Sequence, residues 1–145
     1  MSDCVFCKII RGEIPSHEVY EDDDILAIVD VGHVNQGHCL VLSKHHAATM
    51  MELQESIAAR AFSVANRVAK AIDATFKPDG LTILQANRAA GFQTVPHFHL
   101  HVLPRQQDDG VCLTWPAKNP EQPILAETAA KLRAAIDGRT DQAVA

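Results

Sequence analysis

No cluster of lysine and arginine stands out in this chain, no apolar stretch approaches the ~20 residues a membrane-spanning helix needs, and no segment repeats. Each absence removes a class of function. The 13 basic residues are scattered against 18 acidic ones, for a net charge of −5, which argues against sequence-independent binding to nucleic acid. No nucleic-acid or membrane partner is therefore expected. The start, Met1-Ser2-Asp3-Cys4, lacks the basic-then-apolar pattern of a secretory signal, so the expected compartment is cytoplasmic. There the cysteines, Cys4, Cys7, Cys39 and Cys112, are expected to be thiols or metal ligands rather than disulfides. With 145 residues, 47% of them apolar, the chain suits one globular domain.

What is present is strand-like alternation interrupted by one long helical pattern. Strands are expected over Glu18–Glu21 and Ile25–Val31, around the acidic turn Asp22-Asp23-Asp24, and over Gly37–Ser43 and Leu81–Ala86. Thr49, with Glu52 three residues on, reads as a capping box opening a helix. Ile57, Ala61, Val64, Ala65, Val68 and Ile72 recur at helical spacing until Lys77-Pro78-Asp79-Gly80 ends it. Residues 104–123 hold four prolines and are expected to be mostly irregular. A second, shorter amphipathic helix is expected over Ile124–Ile136, within a domain spanning 1–137, followed by a loose tail over 138–145. Adjacent strands with a helix between them favour an α+β fold with a mostly antiparallel sheet.

The run His97-Phe98-His99-Leu100-His101-Val102-Leu103 carries the chemistry. On a strand, Phe98, Leu100 and Val102 face a core while the three histidines share the other face, spaced by about 6.7 Å. Such a row could be solvated, could bind a transition metal, or could perform covalent catalysis, since a neutral imidazole fixed through one nitrogen attacks phosphorus through the other. Cys4 and Cys7 form a C-x-x-C that suits zinc if two further ligands exist, and His45-His46 and the histidine run supply candidates. Asn87, Gly91, Gln93 and Thr94 precede the histidines and suit phosphate oxygens. Asp30, ending an apolar strand before Val31, suits either a turn or the hydroxyls of a ribose.

Together these residues resemble the histidine-triad (HIT) family of nucleotide hydrolases and transferases. The signature His-φ-His-φ-His-φ-φ, with φ apolar, is matched without exception at His97–Leu103. The resemblance extends from Cys4 to about Arg105 and includes Cys-x-x-Cys-x-Ile-Ile, Gly12-Glu13-Ile14-Pro15, Val19-Tyr20-Glu21-Asp22, Gly37-His38 with Leu40-Val41, and Lys44 two residues before His46. It implies a HIT-like α+β fold, with an antiparallel sheet of about five strands, one long helix and a shorter C-terminal helix.

It also implies a function. The chain would cleave at the α-phosphate of purine nucleotide derivatives such as phosphoramidates, adenylates or dinucleoside polyphosphates, through a nucleotidyl-histidine intermediate. His99 would attack, its other nitrogen held by a backbone carbonyl, and His101 would help move the proton. Gln93, and the hydroxyl or backbone of Thr94, would grip phosphate oxygens, Val95 would also bind the nucleotide, and Asn87 would sit near the scissile phosphate. Asp30 would hold the ribose, with Ile28, Val31 and Leu40 around the base. Bacterial-type members also hold a structural zinc, whose ligands here would be Cys4, Cys7, His46 and His97; no catalytic cofactor is required. A homodimer joining two sheets is expected, with Trp115 near the leaving group. The alternatives are a nucleotide-binding regulatory module with little turnover and a metal-dependent hydrolase. Three departures stand out: Phe92 lies between Gly91 and Gln93 where Gly-Gln is usual, the loop from Asn87 to Gln93 is a residue shorter than in the commonest pattern, and Ser43 replaces the usual Pro before Lys44.

Overall fold

The sheet that carries the histidines has five strands, all paired antiparallel, in the order β1-β2-β3-β5-β4. The computed structural model describes residues 3–140. These form two compact units, one ending at Gly110 and one beginning at Val111. In the first unit the order is α1 (Val5–Ile10), β1 (Glu18–Glu21), β2 (Ile25–Val29), β3 (Cys39–Ser43), α2 (Glu55–Phe76), β4 (Gly80–Leu84) and β5 (His99–Arg105). The second contains an irregular stretch over 111–121 and α3 (Gln122–Thr140).

Both faces of the central strands are covered, which explains why Ile25–Val29 and Cys39–Leu42 are apolar without alternation. On one face Ile25, Ala27, Cys39, Val41, Phe98, Leu100 and Val102 pack against Ile57, Ala61, Val64, Ala65, Val68 and Ile72 of α2. On the other, Leu26, Ile28, Leu40 and Leu42 pack against Phe6 of α1. The register Leu40↔His101 and Leu42↔His99 puts both histidines on the α1 side of the sheet.

Several boundaries depart from the sequence reading. The short helix α1 was not expected: six residues give too little periodicity to register. Thr49 does not open the long helix. Its hydroxyl donates to Glu52 at 2.9 Å, but the pair closes a 3-10 turn over Met50–Glu52. Leu53 then turns extended (φ −82°, ψ 141°) and packs on the core, so α2 starts at Glu55. It ends where expected, with Lys77 in the left-handed region before Pro78. The strands stop at Val29 and Leu84, and β3 starts at Cys39. Gly37, at φ +94°, lies so close to Phe76 that a Cβ would be 2.8 Å from the ring, so the chain enters β3 through a position only glycine fits.

The histidine strand begins at His99, not His97. Pro96 has no N–H to give a ladder, the His97 amide donates to Val95 O at 2.8 Å, and the Phe98 amide donates to Ala47 O at 2.7 Å. The three histidines therefore do not share one strand face. α3 runs longer than Ile124–Ile136 and leaves Ile124, Leu125, Leu132 and Ile136 exposed. It includes Gly138–Thr140; the rest of the expected tail, 141–145, lies outside the described residues.

Candidate active site and metal centre

The backbone carbonyl of His97 can only accept, and it lies 2.6 Å from His99 Nδ1. His99 therefore carries its proton on Nδ1 and keeps a lone pair on Nε2, the tautomer a nucleophile needs. His99 is itself buried, 4% exposed, with the edge of Phe6 against its ring at a centroid distance of 5.1 Å. Strand alternation brings His101 beside it, ring centroids 5.1 Å apart.

His101 is backed by His38, a residue that the sequence pattern does not place in the site. His38, at the entrance to β3, puts Nε2 3.0 Å from His101 Nδ1. Asp30 Oδ2 is 3.5 Å from His38 Nε2 and 3.9 Å from His101 Nδ1. The carboxylate favours a proton on His38 Nε2, which then donates to His101 Nδ1 and leaves His101 with N–H on Nε2. His38 Nδ1 is buried without a partner, consistent with an acceptor nitrogen rather than a second donor. Burial pushes the pKa of both rings down. For His101, burial and the neighbouring His99 and His38 outweigh Asp30 and bring it to about 4; His38 falls for the same leading reason. Both rings are neutral at pH 7.

His99, His101 and Asp30 line one cavity of about 290 Å³, with Val5, Phe6 and Ile9 of α1, Ile28, Val31 and Leu40 from β2–β3, and Thr94 and Val95; His38 is not part of its wall. Most of the expected nucleotide residues meet there. Asn87 and Gln93 do not line it. Asn87 Oδ1 accepts from Met50 N at 2.7 Å, while the Gln93 amide donates to Ala48 O and Val95 O and accepts from Arg88 N. They tie the loop ahead of Thr94 to the segment before α2. Asp30 makes the expected turn, Oδ1 accepting from Gly32 N at 2.9 Å, while Oδ2 faces the histidines.

A second cluster lies beside the first. The ligand atoms of Cys4, Cys7, His46 and His97 all lie within 4.8 Å of one another. Cys4 Sγ is 3.3 Å and Cys7 Sγ 3.6 Å from His97 Nδ1. His46 Nδ1 is 3.3 Å from Cys7 Sγ and 3.2 Å from His97 Nδ1. A tetrahedron with metal bonds of about 2.0–2.3 Å has edges of about 3.3–3.8 Å, so these separations fit one zinc-sized ion. His97 Nε2 donates to Ser43 O at 2.7 Å, which leaves Nδ1 as the ligating nitrogen and supplies the outer hydrogen bond metal-bound histidines need. His45 instead turns to Asp24. Burial and the adjacent Cys4 push the Cys7 thiol above its ordinary range, so metal binding would release a proton.

The chain's relationships agree with this geometry. Residues 11–108 match the family model described as HIT domain. The adenosine 5'-monophosphoramidase HNT1 of Saccharomyces cerevisiae is 33% identical over 136 residues, 93% of this chain and 84% of that protein. The crystal structure of a HIT family protein from Bacillus anthracis str. 'Ames Ancestor' superposes with a TM-score of 0.88 at 38% identity, covering 92% of this chain and 96% of that one. A zinc-bound histidine triad family protein from Mycobacterium smegmatis gives 0.72 at 33% identity, covering 92% and 98%. The family model and the likeness to solved structures lead to one assignment: this chain belongs to the HIT domain family.

Proposed function

We propose that the protein hydrolyses purine nucleotide derivatives at the α-phosphate, with His99 as nucleophile. The observation that carries this reading is the His99 Nδ1 bond to His97 O, which leaves Nε2 as the free nitrogen on a wall of the cavity. The monophosphoramidase activity named for the yeast relative supports the same reaction class. Nε2 attacks the α-phosphorus and the bond to the leaving group breaks, giving a nucleotidyl-His99. Water then attacks that phosphorus, Nε2 leaves, and a nucleoside monophosphate is released. His101 is neutral in the free protein, but an arriving phosphate raises its proton affinity, as any nearby opposite charge does. It can then pass a proton to the leaving atom, with His38 and Asp30 holding its ring. Asp30 also faces the ribose, Ile28, Val31 and Leu40 the base, and Thr94 and Val95 the phosphate; Asn87 and Gln93 act by holding that loop.

His99→Ala should reduce hydrolysis of adenosine 5'-phosphoramidate by at least about a thousandfold while AMP binding by calorimetry stays within a few-fold. Near-normal turnover would overturn the nucleophile, and a pure nucleotide-binding regulator would show no nucleotidyl-histidine in acid-quenched protein. A second reading rests on Asp30, His38 and His101, which also lie within metal-ligand reach of one another: a metal-dependent hydrolase. Its distinguishing result is loss of turnover on chelation in protein that stays folded.

Cys4, Cys7, His46 and His97 are proposed to hold a structural zinc, which ties the N-terminal segment to the loop before β5. Metal analysis should find about one zinc per chain, lost in Cys7→Ser; folded wild-type protein that takes up no added zinc would refute the site. The protein is further proposed to act as a cytoplasmic homodimer. Among the described residues no helix is long and apolar enough to cross a membrane.

A further inference from the structure

Helix α1 buries only two residues, Phe6 and Cys7. Cys7 belongs to the metal cluster. Phe6 lines the nucleotide cavity with Val5 and Ile9. A six-residue helix has almost no stability of its own, so its position depends on these two anchors and on the apolar residues packed about Phe6. Phe6 also sits edge-on to both His97 and His99, at centroid distances of 5.7 and 5.1 Å. One short element is therefore at once a side of the metal cluster and a wall of the cavity. Whatever fixes Cys7 fixes the wall, and whatever fills the cavity against Phe6 holds Cys7 in place.

We infer that zinc and nucleotide bind cooperatively through α1, with Phe6 as the positioning residue that couples the two sites. The inference rests on the zinc and nucleotide readings above and adds a free-energy link between them. Such a link is reciprocal: if zinc tightens the nucleotide by some factor, the nucleotide tightens zinc by the same factor. It is also specific to the part of the ligand α1 touches. Phe6 packs in one cluster with Ile28 and Leu40, which would meet the base, whereas Asp30 and Thr94, which would meet ribose and phosphate, belong to other parts of the cavity wall, so the coupling acts on the base.

The test uses the full chain loaded with zinc. The rate of zinc release to an excess of a chromogenic chelator is measured with and without saturating AMP, and then with saturating ribose 5-phosphate, which lacks the base. AMP should slow release by on the order of tenfold, and ribose 5-phosphate should leave it within twofold. In the reverse direction, AMP affinity should fall on the order of tenfold when zinc is removed, and zinc affinity in equilibrium competition with the chelator should fall by that same factor when AMP is absent, circular dichroism confirming that the protein remains folded. Phe6→Ala keeps all four ligands. It should still bind one zinc, while AMP no longer slows its release. Equal release rates with and without bound AMP would overturn the coupling and leave both sites standing. An equal effect of ribose 5-phosphate, or an undiminished AMP effect in Phe6→Ala, would overturn the route through α1. Failure of zinc or AMP to bind at all would overturn the underlying reading and the inference with it.

Discussion

Phe92 stands where glycine is usual ahead of the histidines, and its backbone explains the usual choice. It adopts φ 64°, ψ 25°, the left-handed region that a bulky side chain enters only at a cost of about 1 kcal/mol, and its ring is 90% exposed and gains little by burial. Phe92→Gly should therefore raise the melting temperature by a few degrees; a fall would show that the ring makes a contact worth more than the strain. The same scale shows what single residues revealed and concealed. His99, His101, His97 and the cysteine pair were legible because their spacing is tied to their chemistry. His38 was not, because one histidine at a strand entrance carries no spacing signal; only the pairing of β3 with β5 brings it to His101. Gln93 and Asn87 were legible as loop residues, but their amides turn to the backbone of Ala48 and Met50, a choice set by a neighbouring segment.

At the scale of elements, the acidic turn between β1 and β2 is an anchor for α2. Asp22 Oδ1 accepts from the amides of Asp24 and Ile25, and Oδ2 accepts from Tyr20 and Arg60, the last an α2 residue. Burial works to raise its pKa, but the Arg60 guanidinium, the Tyr20 hydroxyl and the two amides prevail and hold it at about 2, below the ordinary 3.8. A depressed carboxyl contributes stability that is complete above its unfolded value and is lost as pH falls through its folded one. Asp22→Asn should thus cost about 2 kcal/mol in urea unfolding at pH 7, with the gap to wild type closing between about pH 4 and pH 2. A gap independent of pH would assign the loss to packing instead. Elements with long periodic faces, such as α2, were legible. Where a tertiary bond took a residue away from its local preference, as at Pro96–Phe98 or Thr49–Leu53, the boundary moved.

At the scale of the whole molecule, the sheet has two edges with opposite character. β1 carries Glu18 and Glu21 and an irregularity in its pairing with β2, features that discourage a further strand. β4 is regular, pairs on one side only, and leaves Leu81, Ile83 and Leu84 exposed at 36%, 38% and 41%. An uncovered, apolar, regular edge is a template for another strand, and a second copy of β4 offers the same groups in antiparallel sense about a two-fold axis. The joined sheet expected of this family is therefore proposed to form through β4. Which strand would join the sheets could not be read along the sequence, where Leu81–Leu84 looks like any short strand; it follows from which strand the topology leaves last. Ile83→Lys should shift the protein from dimer to monomer in light scattering while circular dichroism is unchanged, because its side chain lies at the surface of the single chain and costs little there. A variant that stays dimeric at micromolar concentration would move the interface away from β4.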